Sequence, residues 1–84
     1  MKDITTALFN LIDPAYDKTC RVVESCDTLD QYESSLKMVS FFKSYMNSSI
    51  DKVAGTRRGI RWVMQSYYNT NMDKLVQSTA RKFS

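Results

Sequence analysis

The stretch from residue 27 to residue 50 constrains the fold most, because it runs without a glycine or a proline. Its apolar residues recur at steps of three and four, the spacing that places side chains on one face of an α-helix. These residues are Leu29, Tyr32, Leu36, Val39, Phe42, Met46 and Ile50. We therefore predict a central helix near residues 28–50 that turns this face toward the protein core.

A second apolar stripe lies on another face of the same predicted helix and consists of Met38, Phe41 and Tyr45. A helix with two apolar faces either lies in the middle of a bundle or has a partner on its second side. Methionine and aromatic side chains on an exposed helix face can form a seam for a partner helix. The stripe is thus a candidate partner-binding surface, with burial inside the bundle as the alternative.

The chain before the central helix contains two further helical segments. The residue before a proline disfavours helical geometry, whereas proline suits the first position of a helix. We therefore predict that a first helix, which Asp3 can cap, ends near Asp13, and that a second helix begins at Pro14. Thr28 with Gln31 three residues later matches a capping box, which predicts a fresh start for the central helix.

The chain after the central helix carries several start and stop signals. Ser48 with Asp51 can cap one more short turn, Gly55 can take the left-handed conformation that ends a helix, and Thr56 can cap the next helix. Residues 56–82 fit one continuous helix, and they fit equally well two helices with a new cap at Thr70. The whole pattern predicts an all-α fold, a compact bundle of four or five short helices around the central helix. At 84 residues it predicts a single domain over residues 1–84.

Charge is distributed unevenly along the chain, whose formal net charge is +3. Residues 1–42 contain four Lys or Arg and seven Asp or Glu, whereas residues 43–84 contain eight and two. Such asymmetry can steer an acidic partner toward the protein. It can also reflect two halves that attract each other, within a monomer or across a homo-oligomer.

Arg57, Arg58, Arg61 and Trp62 form a basic and aromatic cluster in the C-terminal half. Guanidinium groups pair with carboxylates and phosphates, and both Arg and Trp are enriched among interface hot spots. We therefore take these four as candidate partner-binding residues for an acidic or apolar helical protein surface. A solvated basic face with Trp62 in the core is one alternative. A nucleic-acid interface is another, although a net charge of +3 is modest for such a binder.

The sequence contains no arrangement typical of an enzyme or a metal site. It has no histidine, no glycine-rich phosphate loop and no nucleophile beside a base. Cys20 and Cys26 would point about 120° apart on one helix, which predicts two reduced thiols and neither a disulfide nor a zinc ligand pair. No segment reaches the roughly 20 apolar residues of a membrane span. We expect a cytoplasmic protein without catalytic activity, cofactor or metal.

Two segments, ITTALFNLIDPAYDK and ESCDTLDQYESSLKM, resemble the small helical accessory proteins of T4-like bacteriophages. That group includes a cytoplasmic antiholin of lysis inhibition, a chain of similar size. The resemblance implies a cytoplasmic protein that binds the soluble segment of a holin, or a host factor, and it assigns no catalytic or binding residue. From the two candidate surfaces we predict a non-enzymatic regulatory protein that occludes or sequesters a partner protein through helix-face contacts. The alternative is a small basic nucleic-acid-binding regulator that uses the C-terminal half.

Overall fold

Three long helices form a bundle in the computed structural model, which describes residues 4–83, and the first and third of them run antiparallel to the second. Helix α1 spans Ile4–Glu24, α2 spans Leu29–Ala54 and α3 spans Arg58–Ala80, followed by a 3₁₀ turn at Arg81–Phe83. The bundle measures 46 × 17 × 17 Å, so each helix runs for most of its length. The predicted all-α class is confirmed, but the four or five short helices are replaced by three long ones.

Helix α1 continues through Pro14, so the predicted division at Asp13-Pro14 is wrong. Proline inside a helix removes one backbone hydrogen bond and costs about 3 kcal/mol. Pro14 is exposed, and the carbonyl group that loses its partner belongs to exposed Asn10, where water can replace the bond. Ile12 before the proline and Val23 after it are both fully buried, so one continuous helix packs both halves of α1 into the core. The predicted cap Asp3 lies outside the described residues.

The start of α2 agrees with its sequence signal. The Thr28 hydroxyl accepts from the Gln31 backbone N–H at 3.2 Å, and the Gln31 side-chain oxygen accepts in return from the backbone N–H groups of Thr28 and Asp27. The capping box is complete, and it satisfies donors that the first helical turn leaves unpaired. The predicted break before the central helix is therefore confirmed.

The turn between α2 and α3 depends on Gly55. This residue has a φ of +59° and a ψ of −120°, so a positive φ is confirmed, although ψ lies outside the left-handed helical region. Its N–H donates to the carbonyl oxygens of Ile50 and Asp51, each at 3.2 Å. Helix α2 therefore ends just before Gly55, and the separate turn predicted at Ser48 is part of α2.

Helix α3 is continuous, which settles the alternative left open for residues 56–82. Its N-cap is Arg57, which makes no side-chain capping bond, so the predicted cap at Thr56 is wrong. Thr70 lies inside the helix, and buried Met72 and Thr79 follow it on the face that Met64 and Tyr68 begin. An unbroken core face across Thr70 favours one helix over two.

The core runs along the inside of all three helices. Its buried apolar side chains are Leu8, Ile12, Val23, Val39, Phe42, Met46, Ile50, Ala54, Met64, Tyr68 and Met72. Four of the seven apolar positions predicted for the central helix are therefore buried. Leu29 and Leu36 remain 55% and 36% exposed, while Ser35 and Ser49 are buried on the inner face instead. A small residue allows two helices to approach more closely than a leucine at the same place would.

Tyr68 is the largest fully buried side chain and joins the three helices. Its ring centroid lies 5.1 Å from that of Tyr16 on α1 and 5.7 Å from that of Phe42 on α2. Its hydroxyl donates to the carboxylate of Asp13. Buried tyrosines need a partner for the hydroxyl group, and Asp13 supplies it here.

Candidate protein-binding surfaces

The Phe41 surface, which we define as Met38, Phe41, Tyr45 and the adjoining Leu11, lies along the outer boundary between α1 and α2. The Tyr45 hydroxyl donates to the backbone carbonyl oxygen of Leu11 at 3.1 Å, so this side of α2 adjoins α1. Tyr45 and Leu11 are each 41% exposed, and Phe41 is 72% exposed. The structure thus leaves Phe41 mostly and Tyr45 partly open to solvent, while Met38, the third residue of the predicted stripe, has intermediate burial.

A shallow depression of about 500 Å³ extends the Phe41 surface toward the turn between α1 and α2. Val22, Cys26 and Met38 contribute apolar surface to its lining, together with the carboxylate of Asp30 and the polar side chains of Ser25, Gln31, Ser34 and Ser35. The lining therefore combines apolar surface with polar groups and one carboxylate, which suits a side chain with an apolar stem and a cationic end.

The Trp62 surface, which we define as Arg57, Arg58 and Trp62, lies at the other end of the bundle, where α3 begins. Trp62 is 69% exposed. Arg58 is four residues earlier on the same helix, so the two side chains are neighbours. Both arginines are exposed, and the first turn of α3 contains no acidic residue. A helix start without a carboxylate keeps its positive dipole end uncompensated, which adds to the positive charge of the arginines.

Arg61 does not belong to this free basic surface. Its guanidinium forms an ion pair with Asp51, and it also donates to the Gly55 carbonyl oxygen at 3.5 Å. The pair ties the first turn of α3 to the last turns of α2, with Gln65 Nε2 donating to Asn47 Oδ1 at 2.8 Å one turn later. Of the three arginines that the sequence groups together, the structure leaves two facing solvent.

The two surfaces lie on different sides of the bundle. On α2, Asn47 and Asp51 face α3, whereas Tyr45 faces α1. Phe41 is six residues from Asn47, and at about 100° per residue the two point about 120° apart. Trp62 follows Arg61 on the flank of α3 that adjoins α2. One partner of ordinary size would contact one surface or the other first.

Leu11 and Tyr67 are exposed apolar residues that the sequence analysis does not single out. Leu11 lies beside Tyr45 at the surface. Tyr67 is exposed on a third side, where its ring meets Phe9 edge-on at a centroid distance of 5.5 Å. The helical period of α1 could have predicted that Leu11 is exposed. Leu11 precedes the buried Ile12 by one residue, so its side chain points about 100° away from that of Ile12.

The thiols and carboxylates of residues 4–83 do not group into a metal-binding cluster or a disulfide. Both cysteines are free thiols, and burial, followed by the nearby acids Glu24 and Asp17, raises the pKa of Cys20 despite a hydrogen bond with Tyr16. A raised pKa keeps the thiol protonated and unreactive. Among residues 4–83, no three Cys, Asp or Glu side chains cluster as metal ligands would. The helices in this part of the chain are also too polar or too short to cross a bilayer.

Comparison of the chain with protein-family models, with curated proteins and with solved structures gives no match. The resemblance to phage accessory proteins accordingly stays a prediction.

Proposed function

We propose that this protein is a non-enzymatic regulator that sequesters a partner protein, and that the Trp62 surface makes the main contact. The observation that carries the proposal is the exposure of Trp62, at 69%, on a long helix held in a packed bundle. Tryptophan is costly to leave in water and is among the most frequent hot-spot residues of protein interfaces. Its position on a rigid helix means that little conformational entropy is lost when a partner covers it.

The charge around Trp62 indicates what kind of partner fits. Arg57 and Arg58 are exposed and unpaired among residues 4–83. An acidic helix or loop with one apolar anchor would pair with the guanidinium groups while its anchor packs on the indole ring. The Asp51–Arg61 ion pair fixes the turn beside this surface, so its shape is set before binding.

The resemblance to phage accessory proteins suggests two partners with this role. One is the soluble segment of a holin, and the other is a host factor, each bound in the cytoplasm. Occlusion of such a partner needs no catalytic group.

A nucleic-acid-binding regulator is the second candidate, and the acid-free first turn of α3 favours it. Two ion pairs weaken this candidate. Arg61 pairs with Asp51 and Lys43 pairs with Asp73, so neither cation is free to neutralise a phosphate group. Each phosphate that the protein neutralises should add about −0.9 to the slope of log affinity against log salt. A steep slope would favour nucleic acid, and a shallow one an apolar protein contact.

The test is affinity capture from the native host, with the retained proteins identified by mass spectrometry and compared between variants. Three proteins are compared: wild type, a double variant that carries Trp62→Ala and Arg58→Ala, and the single variant Lys74→Ala. Lys74 is an exposed cation on the same helix, sixteen residues after Arg58 and on the opposite side of α3, so its loss is a matched control.

We expect a captured protein to be lost from the Trp62 and Arg58 variant and retained by Lys74→Ala. Binding of the purified partner should weaken by at least about thirtyfold, the size of an interface hot spot. Equal capture by all three proteins would contradict the proposal, provided that each melts as one folded domain.

A further inference from the structure

We propose that the Phe41 surface is the interface of a homodimer, in which two copies of α2 cross antiparallel about a two-fold axis near Phe41. The proposal is independent of the Trp62 surface, which lies on another side of the bundle. The partner is a second copy of this chain because the charges that flank Phe41 are self-complementary.

Asp30 and Lys52 lie at equal distances from Phe41, eleven residues before it and eleven after it. Eleven residues make three helical turns and leave an offset of only about 20°, so all three side chains share one face of α2. Each charge lies about 16 Å along the axis from Phe41. Both are exposed, and neither forms an ion pair within residues 4–83.

An antiparallel pair of identical helices turns this spacing into contacts. If Phe41 meets Phe41 at the axis, then Asp30 of each copy faces Lys52 of the other, and the acid and the base repeat on both sides. Two-fold interfaces require such self-complementarity, because each contact occurs twice. A parallel pair would place acid against acid and base against base instead.

The residues between these charges also suit close packing. Ser34 and Ser48 lie seven residues on either side of Phe41, so they face each other across the axis as two small groups. Lys37 falls opposite Tyr45, where its ammonium group can lie over the exposed aromatic ring while staying near solvent. The centre of the contact is thus apolar and its ends are charged, as in ordinary protein interfaces.

The depression beside Met38 gives Lys52 of the second copy a place to bind. Val22, Cys26 and Met38 supply apolar surface to its lining, which also includes Asp30 and four Ser or Gln side chains. A lysine stem can pack along the apolar surface while its ammonium group reaches the carboxylate. In the monomer, Asp30 and Lys52 interact only with the dipole at the two ends of their own helix. That interaction stabilises them less than the ion pairs of the dimer would.

The test is the mass of the full-length protein in solution, measured by sedimentation equilibrium from low to high micromolar concentration. Wild type should dimerise, and Phe41→Glu should weaken the dimer at least about thirtyfold, since it places charges at the centre of the contact. Trp62→Glu is the matched control, because it changes an equally exposed aromatic residue on another side, and it should dimerise as wild type does.

Charge exchange tests the antiparallel arrangement itself. Asp30→Lys alone should place lysine against lysine, and Lys52→Asp alone should place acid against acid, so each variant should dissociate. A chain that carries both substitutions should dimerise again, because every Lys then faces an Asp in an antiparallel pair, whereas a parallel pair would still place like charges against each other. Circular dichroism of each variant checks that the helices remain. A monomeric wild type at all concentrations would overturn the proposal. Folded single variants whose dimer is not restored by the double substitution would overturn it as well.

Discussion

The aromatic residues of this bundle fall into two groups with opposite environments. Around Tyr68, the rings of Phe9, Tyr16 and Phe42 pack at centroid distances between 5.1 and 6.0 Å. Phe41 and Trp62 instead lie on helices of the same bundle with most of their surface in water. The first group holds three helices together, whereas the second contributes little to folding. The contrast separates residues that build this protein from those available to bind.

The largest expected effect comes from removing the centre of the buried group. Tyr68→Ala should lower the free energy of unfolding by about 3 to 5 kcal/mol, because it opens a cavity among all three helices. Chemical denaturation followed by circular dichroism measures the change. A loss below about 1 kcal/mol would show that the buried rings do not hold the bundle together.

The pH dependence of stability gives a second measure of the buried group. Burial, and then the hydrogen bond to Asp13, raises the pKa of Tyr68 above 10, and burial together with Cys20 does the same for Tyr16. An unfolded tyrosine ionises near pH 10, so above that pH the unfolded chain releases protons that the folded chain retains. Stability conferred by the neutral tyrosines is therefore present below pH 10 and is lost as pH rises.

Denaturation at a series of alkaline pH values measures this loss, and Tyr16→Phe with Tyr68→Phe should reduce its slope. Equal slopes for wild type and the double variant would contradict the assignment of the alkaline loss to these two buried hydroxyl groups.

A smaller effect should follow from removing only the hydroxyl group of Tyr68. Tyr68→Phe keeps the ring contacts and deletes the bond to Asp13, so at neutral pH we expect a loss of about 1 kcal/mol. Thermal or chemical unfolding measures it beside Tyr68→Ala. If the two substitutions cost the same, the hydroxyl group and not the ring would be the main contribution.

The smallest effect belongs to the exposed group. Phe41→Ser and Trp62→Ser should each change the unfolding free energy by less than about 0.5 kcal/mol, when measured on dilute protein. At high concentration Phe41→Ser should show an added loss, because the dimer that we propose would stabilise wild type by mass action. A large loss in dilute protein would mean that these rings serve folding after all.

Local sequence signals correctly predicted helix ends that depend only on residues within one helical turn. Thr28 and Gln31 form their capping box from residues a few positions apart, and Gly55 has the positive φ expected of it. Pro14 shows the limit of such signals. Its local preference for a helix start is overcome because Ile12 and Val23 pack into one core, an effect of the whole bundle.

The same limit applies to the candidate surfaces. Helical period separates the stripe of Phe41 from that of Phe42, but it cannot say whether a third helix covers the outer stripe. The Arg61 pair with Asp51 forms across the Gly55 turn, so its existence depends on the angle between α2 and α3. Sequence spacing had grouped Arg61 with Arg57 and Arg58, and tertiary geometry separates it from them.

The fluorescence of Trp62 tests the division between buried and exposed aromatic residues most directly, because it is the one tryptophan in the chain. In dilute, partner-free protein we predict emission at the long-wavelength position of a tryptophan in water and quenching by acrylamide close to that of a free indole. Concentration across the dimer transition should leave both unchanged, since Phe41 lies on another side. Short-wavelength emission with strong protection from acrylamide, in monomeric folded protein, would contradict the account.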